Sequence, residues 1–324
     1  MPNLRYSLNF LPQPLERDAL KLLLSLCALI SLLFFSALGR AQSLDTLVVL
    51  YTGGAFGYLE ACPCSKENLG GLARRATVIH QARAAFSEKV VLVDAGNQFS
   101  AYPKSPQEAQ LLAQLLGDMH YDALNLAEYD LTYGLTFAQQ TLSALPTVSV
   151  NVCDTAGQAL APKYRLKTVG SLRVAFLGLL TESALSSATE TAQRSIHLLP
   201  ATAALAHALD SLAHEHPDVI ILLLRTQDIG YEKMLAEKFP QLSVIISNSP
   251  ELMTNPPTIF GQCLALTAGN DGEYIGQLML IFNGRERLAA QSTLIALSPK
   301  VASDKKIAER IQAFKHAQKR KSSP

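Results

Sequence analysis

Apolar positions in this chain fall mostly in short unbroken runs rather than in strict alternation. "DTLVVLYT" (45–52), "KVVLVDAG" (89–96), "LRVAFLGLL" (172–180), "DVIILLLR" (218–225) and "LSVIIS" (242–247) are each bounded by turn residues. Runs of this kind predict strands buried on both faces. Between them lie segments with helical spacing: "GGLARRATVIHQARAAF" (70–86), "TFAQQTLSAL" (136–145), 201–214 and "YEKMLAEKF" (231–239). "SPQEAQLLAQLLGDM" (105–119) opens on a Ser-x-x-Glu capping box, Ser105 to Glu108. Further strands are expected at "YDALNLA" (121–127), "TVSVNV" (147–152) and "YRLKTVG" (164–170). "LALTAGN" (264–270) and "YIGQLMLIF" (274–282) read as a late antiparallel pair. Doubly buried strands separated by helices make a layered α/β domain, expected as one unit over 45–300.

The ends of the chain differ from this pattern. Arg5, Arg17 and Lys21 precede an uncharged apolar run, Leu22 to Gly39, with small residues at Gly39 and Ala41. Residues 1–41 therefore read as a signal peptide or an N-terminal membrane anchor, and the protein as exported: periplasmic, or anchored outside the cytoplasm. Cys27 in this run is apolar filler. At the other end, 301–324 reads as a basic amphipathic tail closing on Lys319, Arg320 and Lys321, charges that complement a helix dipole or meet an anionic membrane. Overall composition adds little: 48% hydrophobic, 7% aromatic, no Trp, formal net charge +1. That balance gives no reason to expect a nucleic-acid partner.

The order of several motifs resembles the 5'-nucleotidases of the calcineurin-like metallophosphoesterase superfamily. "GGLAR", "VLVDAGNQF", "YDALNLAEYDLTYG", "VSVNV", "RVAFLGLLT", "DVIILLLRTQDIG", "SVIISNSPE" and "LTAGNDGEYIGQL" stand in the family's order. The resemblance implies a four-layer α/β/β/α metallophosphoesterase sandwich with mixed sheets. It also implies phosphate-ester hydrolysis by two divalent metals (Mn, Zn or Mg) held by Asp, His and Asn at strand ends.

The residues at the corresponding positions do not suit that chemistry. The first motif's Asp and His are Gly54 and Phe56, and the bridging Asp is Asn97. The Asn-His-Glu run is Glu128, Tyr129 and Asp130. The next His is Arg225, and the last two are Ser249 and Glu251. Neutral amides, Phe and Arg are poor substitutes for anionic or imidazole donors. His80, His120, His197, His207, His214, His216 and His316 form no ligand-like group. No cofactor is expected; a divalent metal in a rebuilt or single-metal site is the alternative.

Arg225, with Asp94, Glu128 and Asp130 nearby, either plugs the old cleft as a salt bridge or, with Arg74, binds an anion there. A Cys-x-Cys pair, Cys62 and Cys64, precedes the double glycine and resembles a divergent exported branch of the superfamily. The pair could form a disulfide, exchange thiols, hold a metal with Cys153 and Cys263, or link outward as Cys62–Cys153. The resemblance also implies a C-terminal domain that grips the nucleoside base, for which no counterpart is expected in the residues after Phe282. The expectation is an exported, catalytically degenerate protein that binds an anionic small molecule or works through Cys62 and Cys64. An active phosphoesterase and a thiol-redox partner protein are the alternatives.

Overall fold

Leu47, Val49 and Tyr51 alternate along the first strand with Val48 and Leu50, and the two sets enter different cores. Successive side chains of a strand point to opposite faces, so a continuous apolar run requires something apolar on each side. The computed structural model describes residues 25, 44–62, 66–102, 105–249 and 255–322. The chain divides into two units, Met1–Ser43 and Leu44–Pro324, and the second holds both large sheets with their flanking helices. Of the sequence expectations, the export segment with Cys27, and also Cys64 and Glu251, lie outside the described residues.

The elements run β1 (Asp45–Thr52), α1 (Leu72–Phe86), β2 (Val90–Asp94), α2 (Pro106–Asp118), β3 (Ala123–Asn125), α3 (Leu135–Leu142) and β4 (Thr147–Val148). There follow β5 (Val152–Asp154), β6 (Tyr164–Val169), β7 (Leu172–Leu180), α4 (Glu182–Ser186), α5 (Glu190–Ser195), β8 (Ile196–Leu198), α6 (Ala201–Ala213) and β9 (Val219–Arg225). The chain closes with α7 (Tyr231–Lys238), β10 (Val244–Asn248), β11 (Thr258–Phe260), β12 (Cys263–Leu266), β13 (Tyr274–Asn283), β14 (Glu286–Ala296) and α8 (Lys305–Ser322).

Two six-stranded mixed sheets result, ordered β14-β13-β1-β2-β3-β4 and β11-β12-β10-β9-β7-β6. Strands β1 to β4 are parallel neighbours, as are β7, β9, β10 and β12. The sheets face each other across a core of Leu47, Val49, Val91, Val93, Val174, Phe176, Ile221 and Leu223. On the outer side of the first sheet, Val48, Leu50 and Leu92 pack with Leu72 and Ile79 of α1 and Leu112 and Leu116 of α2. On the outer side of the second, Leu177, Leu222 and Leu224 pack with Leu205, Leu209 and Leu235 of the flanking helices. These are the four expected layers. The α2 cap forms as expected, with Ser105 Oγ accepting from the Glu108 N–H at 3.4 Å.

Two strand expectations need correction. "LALTAGN" and "YIGQLMLIF" are not partners: β12 lies in the second sheet beside β10 and β11, whereas β13 lies in the first between β1 and β14. The antiparallel partners of β13 are β1 and, next along the chain, the edge strand β14. Its mostly exposed side chains hide it from a search for apolar runs. "TVSVNV" splits between β4 and β5, which belong to different sheets. The β1–β13 pairing places Tyr51 opposite Gly276, where a Cβ would stand 1.9 Å from the ring, so the close approach requires glycine.

Helix α8 is joined to the fold. Ile307 and Ile311 enter the first outer core, the Asp304 N–H donates to Ala73 O at 2.9 Å, and Arg310 and Lys315 pair with Asp118 and Glu60. Its last turn carries Lys319, Arg320 and Lys321. Among the described residues no helix is long and apolar enough to cross a membrane.

Candidate functional site

Five strands end on buried polar residues: Thr52, Asp94, Asn125, Arg225 and Asn248. Carboxyl ends of parallel strands are where ligands bind in open α/β sheets. Here the side chains turn towards each other and tie the sheets together. Asn125 Nδ2 donates to Ala95 O at 3.1 Å and to Leu179 O at 3.0 Å, one from each sheet. Asn248 Nδ2 donates across to Gly96 O at 3.1 Å.

Arg225 occupies the middle of this junction. Its Nε donates to Glu128 Oε1 at 2.9 Å and Oε2 at 3.1 Å, and its Nη2 lies 2.7 Å from Oε1. Nη1 donates to Thr226 O at 2.8 Å and Asn248 O at 3.1 Å. Side-chain exposure is 5% for Arg225 and 0% for Glu128. Glu128 opens a short 3-10 turn, Glu128–Leu131, and also accepts from Asn97 Nδ2 at 3.0 Å. The Asn97 Oδ1 in turn accepts from the Tyr129 N–H at 3.1 Å. Asn97 sits at φ 63, a left-handed conformation that Asn tolerates better than most residues. Every nitrogen of the guanidinium is therefore engaged inside the protein, which leaves Arg225 closed to an outside anion.

Two further carboxyls lie next to the pair. Asp94 accepts from Thr52 Oγ1 at 2.5 Å, the Gly96 N–H at 2.7 Å and Gln98 Nε2 at 2.6 Å. Burial raises its pKa, against the pull of Thr52, of Arg75 and of the other donors. Asp130 accepts from the backbone N–H groups of Gln98 (2.7 Å), Phe99 (3.1 Å) and Ala127 (3.0 Å). Burial nevertheless pushes it up to about 7. Both carboxyls hold the loops following β2 and β3.

The remaining sequence candidates divide. Gly54, at φ +59, leaves room for Asn270 Oδ1, which would stand 2.8 Å from a Cβ there. Phe56 rests on Tyr129 with ring centroids 5.9 Å apart. Ser249 is buried and its Oγ has no hydrogen-bond partner. Arg74, expected beside the cleft, instead donates to the carbonyls of Asn68 (2.5 Å), Gly70 (3.2 Å) and Leu297 (3.1 Å). The arginine that reaches inward is Arg75, which is 1% exposed and donates to Tyr121 Oη at 3.4 Å. The helix phase carries this signal, because Leu72, Arg75, Ala76 and Ile79 lie on one face. The motif pattern also passes over Thr52, Gln98 and Asn248, though polar residues closing apolar runs are a readable cue.

The cysteines separate cleanly. Cys62 is disulfide-bonded, whereas Cys153 and Cys263 are free and buried, so the partner of Cys62 lies outside the described residues. The Cys62–Cys153 link is thereby excluded. Burial raises both free thiols, Cys263 to about 12, which keeps them protonated and unreactive. Alkylation in denaturant without reductant should label Cys153 and Cys263 and leave Cys62 unlabelled; reduction should then expose Cys62. Peptide mass mapping reads both outcomes.

A divalent metal, implied by the family resemblance, does not fit these residues. Gly54 and Phe56 offer no donor. Asn97 and Glu128 are engaged with one another and with Arg225, and a guanidinium stands in place of the family's imidazole ligand. Among the described residues no three of His, Cys, Asp or Glu are grouped to hold a metal ion.

No family model matches the chain. Solved structures do. The chain superposes on a 5'-nucleotidase precursor from Thermus thermophilus with TM-score 0.71 and 21% identity, covering 84% of this chain and 59% of that one. With the calcineurin-like phosphoesterase YfkN from Bacillus subtilis the TM-score is 0.71 and the identity 17%, over 85% of this chain and 98% of that one. The chain has the fold of the calcineurin-like phosphoesterases. In sequence, snake venom 5'-nucleotidase from Naja atra is 29% identical over 157 residues, 42% of this chain and 28% of that protein. The phosphoesterase fold thus accounts for most of this chain, while the chain spans less than two thirds of either nucleotidase's length.

Proposed function

We propose that this is an exported protein of phosphoesterase fold that has given up dimetal hydrolysis and acts by binding. The observation that carries the reading is the Arg225–Glu128 pair, which fills the junction of strand ends with a matched cation and anion. A guanidinium supplies fixed positive charge but no open coordination position, so it cannot activate a water as a metal does. Arg225 has its donors engaged, so a bound anion would have to use other groups. Export is supported by the apolar N-terminal run and by a disulfide at Cys62, a bond that persists in oxidising compartments.

The test is metal content and turnover on the purified full chain. Expected are less than one equivalent of Mn, Zn or Mg after dialysis, and hydrolysis of AMP or p-nitrophenyl phosphate no faster with added Mn²⁺ than with chelator. Robust chelator-sensitive turnover would restore the hydrolase reading. A second reading, thiol exchange through Cys62 and Cys64, rests on the bonded state of Cys62. It predicts that a Cys62→Ser variant folds but loses the protein's function.

A further inference from the structure

Helix α8 carries more positive charge than its own dipole can use. Residues 301–324 hold seven Lys or Arg against Asp304 and Glu309, whereas residues 44–300 hold 17 Lys or Arg against 23 Asp or Glu. Charge is therefore segregated along the chain, although its sum is only +1. Cations in a last helical turn complement the dipole, and Lys319, Arg320 and Lys321 stand there. At the other end the sign is wrong. Asp304 caps the helix, accepting from the Ile307 N–H at 2.9 Å, but the first turn holds no acid and opens on Lys305 and Lys306. Partners inside the fold do not account for the surplus either. Ile307 and Ile311 enter the first outer core, and Arg310 and Lys315 pair with Asp118 and Glu60. At about 3.6 residues per turn, Lys305, Glu309 and Arg320 fall opposite Ile307 and Ile311, with Lys306 and Lys319 beside them, and all five are exposed. Lys305, Lys306, Arg320 and Lys321 have no ion-pair or hydrogen-bond partner among the described residues.

We propose that the outward face of α8 docks on an anionic phospholipid bilayer, which it meets by charge alone. The face offers long, exposed lysines and no exposed large apolar side chain. Specific protein interfaces are poor in Lys and centre on buried aromatic or Arg anchors, so such a partner fits badly. A plane of phosphate headgroups fits well, because a cluster of Lys and Arg on one amphipathic helix is attracted without needing a shaped contact. Ile307 and Ile311 are engaged in the core, so α8 does not insert as a free amphipathic helix does. Its attraction is purely Coulombic and is screened by salt. The uncharged run Leu22–Gly39 is a second membrane-directed segment of the same chain. The inference is independent of hydrolysis and of the Arg225 junction.

The experiment reconstitutes the full chain into vesicles of phosphatidylcholine, alone or with roughly one third phosphatidylglycerol, and maps lysine acetylation by peptide mass. The N-terminal run meets both kinds of vesicle, so the difference between them reports charge. The expected result is a drop in labelling of Lys305, Lys306, Lys319 and Lys321, on the order of three- to tenfold, in anionic vesicles at about 0.1 M salt. The drop should vanish at about 1 M salt. Lys233 and Lys238 of α7, a helix on the outer side of the second sheet, are the internal control and should label equally in both. The exposed double substitution Lys306→Glu, Arg320→Glu should remove the protection of Lys305, Lys319 and Lys321. Equal labelling in the two kinds of vesicle would overturn the proposal, as would protection that survives high salt or the double substitution. Protection by soluble poly-glutamate without protection by anionic vesicles would also overturn it, and would assign the face to an acidic protein.

Discussion

Replacing Arg225 by Leu is expected to lower the unfolding free energy by about 3–5 kcal/mol, the cost of stranding a buried charge. The reason lies in what stays behind. Glu128, fully buried, keeps only the Asn97 amide as a side-chain donor, and the carbonyls of Thr226 and Asn248 each lose a guanidinium donor, Asn248 O keeping the Thr226 N–H at 3.2 Å. Glu128→Gln has the mirror effect: the guanidinium keeps its carbonyl partners but loses its counter-charge, a loss of similar size. The double variant Arg225→Leu, Glu128→Leu is the informative one. With both charges gone the desolvation penalty disappears too, so its loss should be well below the sum of the singles, showing strong coupling. Urea unfolding followed by circular dichroism measures all three; the chain has no Trp to report by fluorescence. If Arg225→Leu alone were near neutral, the pair would not be closing this junction and the reading that dimetal hydrolysis is lost would lose its support.

That the junction is internal also explains how much of the molecule is legible in its sequence. The layered fold can be read because β1, β7 and β9 are apolar on both faces, a pattern that demands cover on each side. The replaced residues of the cleft can be read because a family resemblance supplies a position for each. Pairing across the chain is harder. Strand β14 shows too few buried positions to announce itself, so the apolar pattern pairs β13 with β12, its neighbour in sequence. Orientation within a helix is similar: "LARR" offers two arginines, and only the helical phase decides that Arg75 points in while Arg74 caps a loop. Net charge conceals the basic face of α8, because a surplus of acids elsewhere offsets it.

Stability is expected to fall as pH rises from about 4 to about 7, and Asp130 is one cause. Its carboxyl titrates near 3.9 in the unfolded chain and at about 7 when folded. The folded state therefore holds a proton that the unfolded state releases across this window. Linkage makes that proton a source of stability, fully present below the unfolded value and lost as pH passes the folded one. A shift of about three units corresponds to roughly 4 kcal/mol at most. Burial raises Asp94 as well, which adds to the effect with the same sign. The direct comparison is wild type against Asp130→Asn in urea unfolding at several pH values between 4 and 8. The amide cannot ionise, but its nitrogen would face the Ala127 N–H, so the variant carries a penalty that does not depend on pH. The slopes carry the answer: the gap between the two proteins should narrow with rising pH, because only the wild type loses the Asp130 contribution, while that of Asp94 is common to both. Parallel curves would mean that the three backbone donors hold Asp130 ionised throughout, and that the loops after β2 and β3 are fixed by charge rather than by a shared proton.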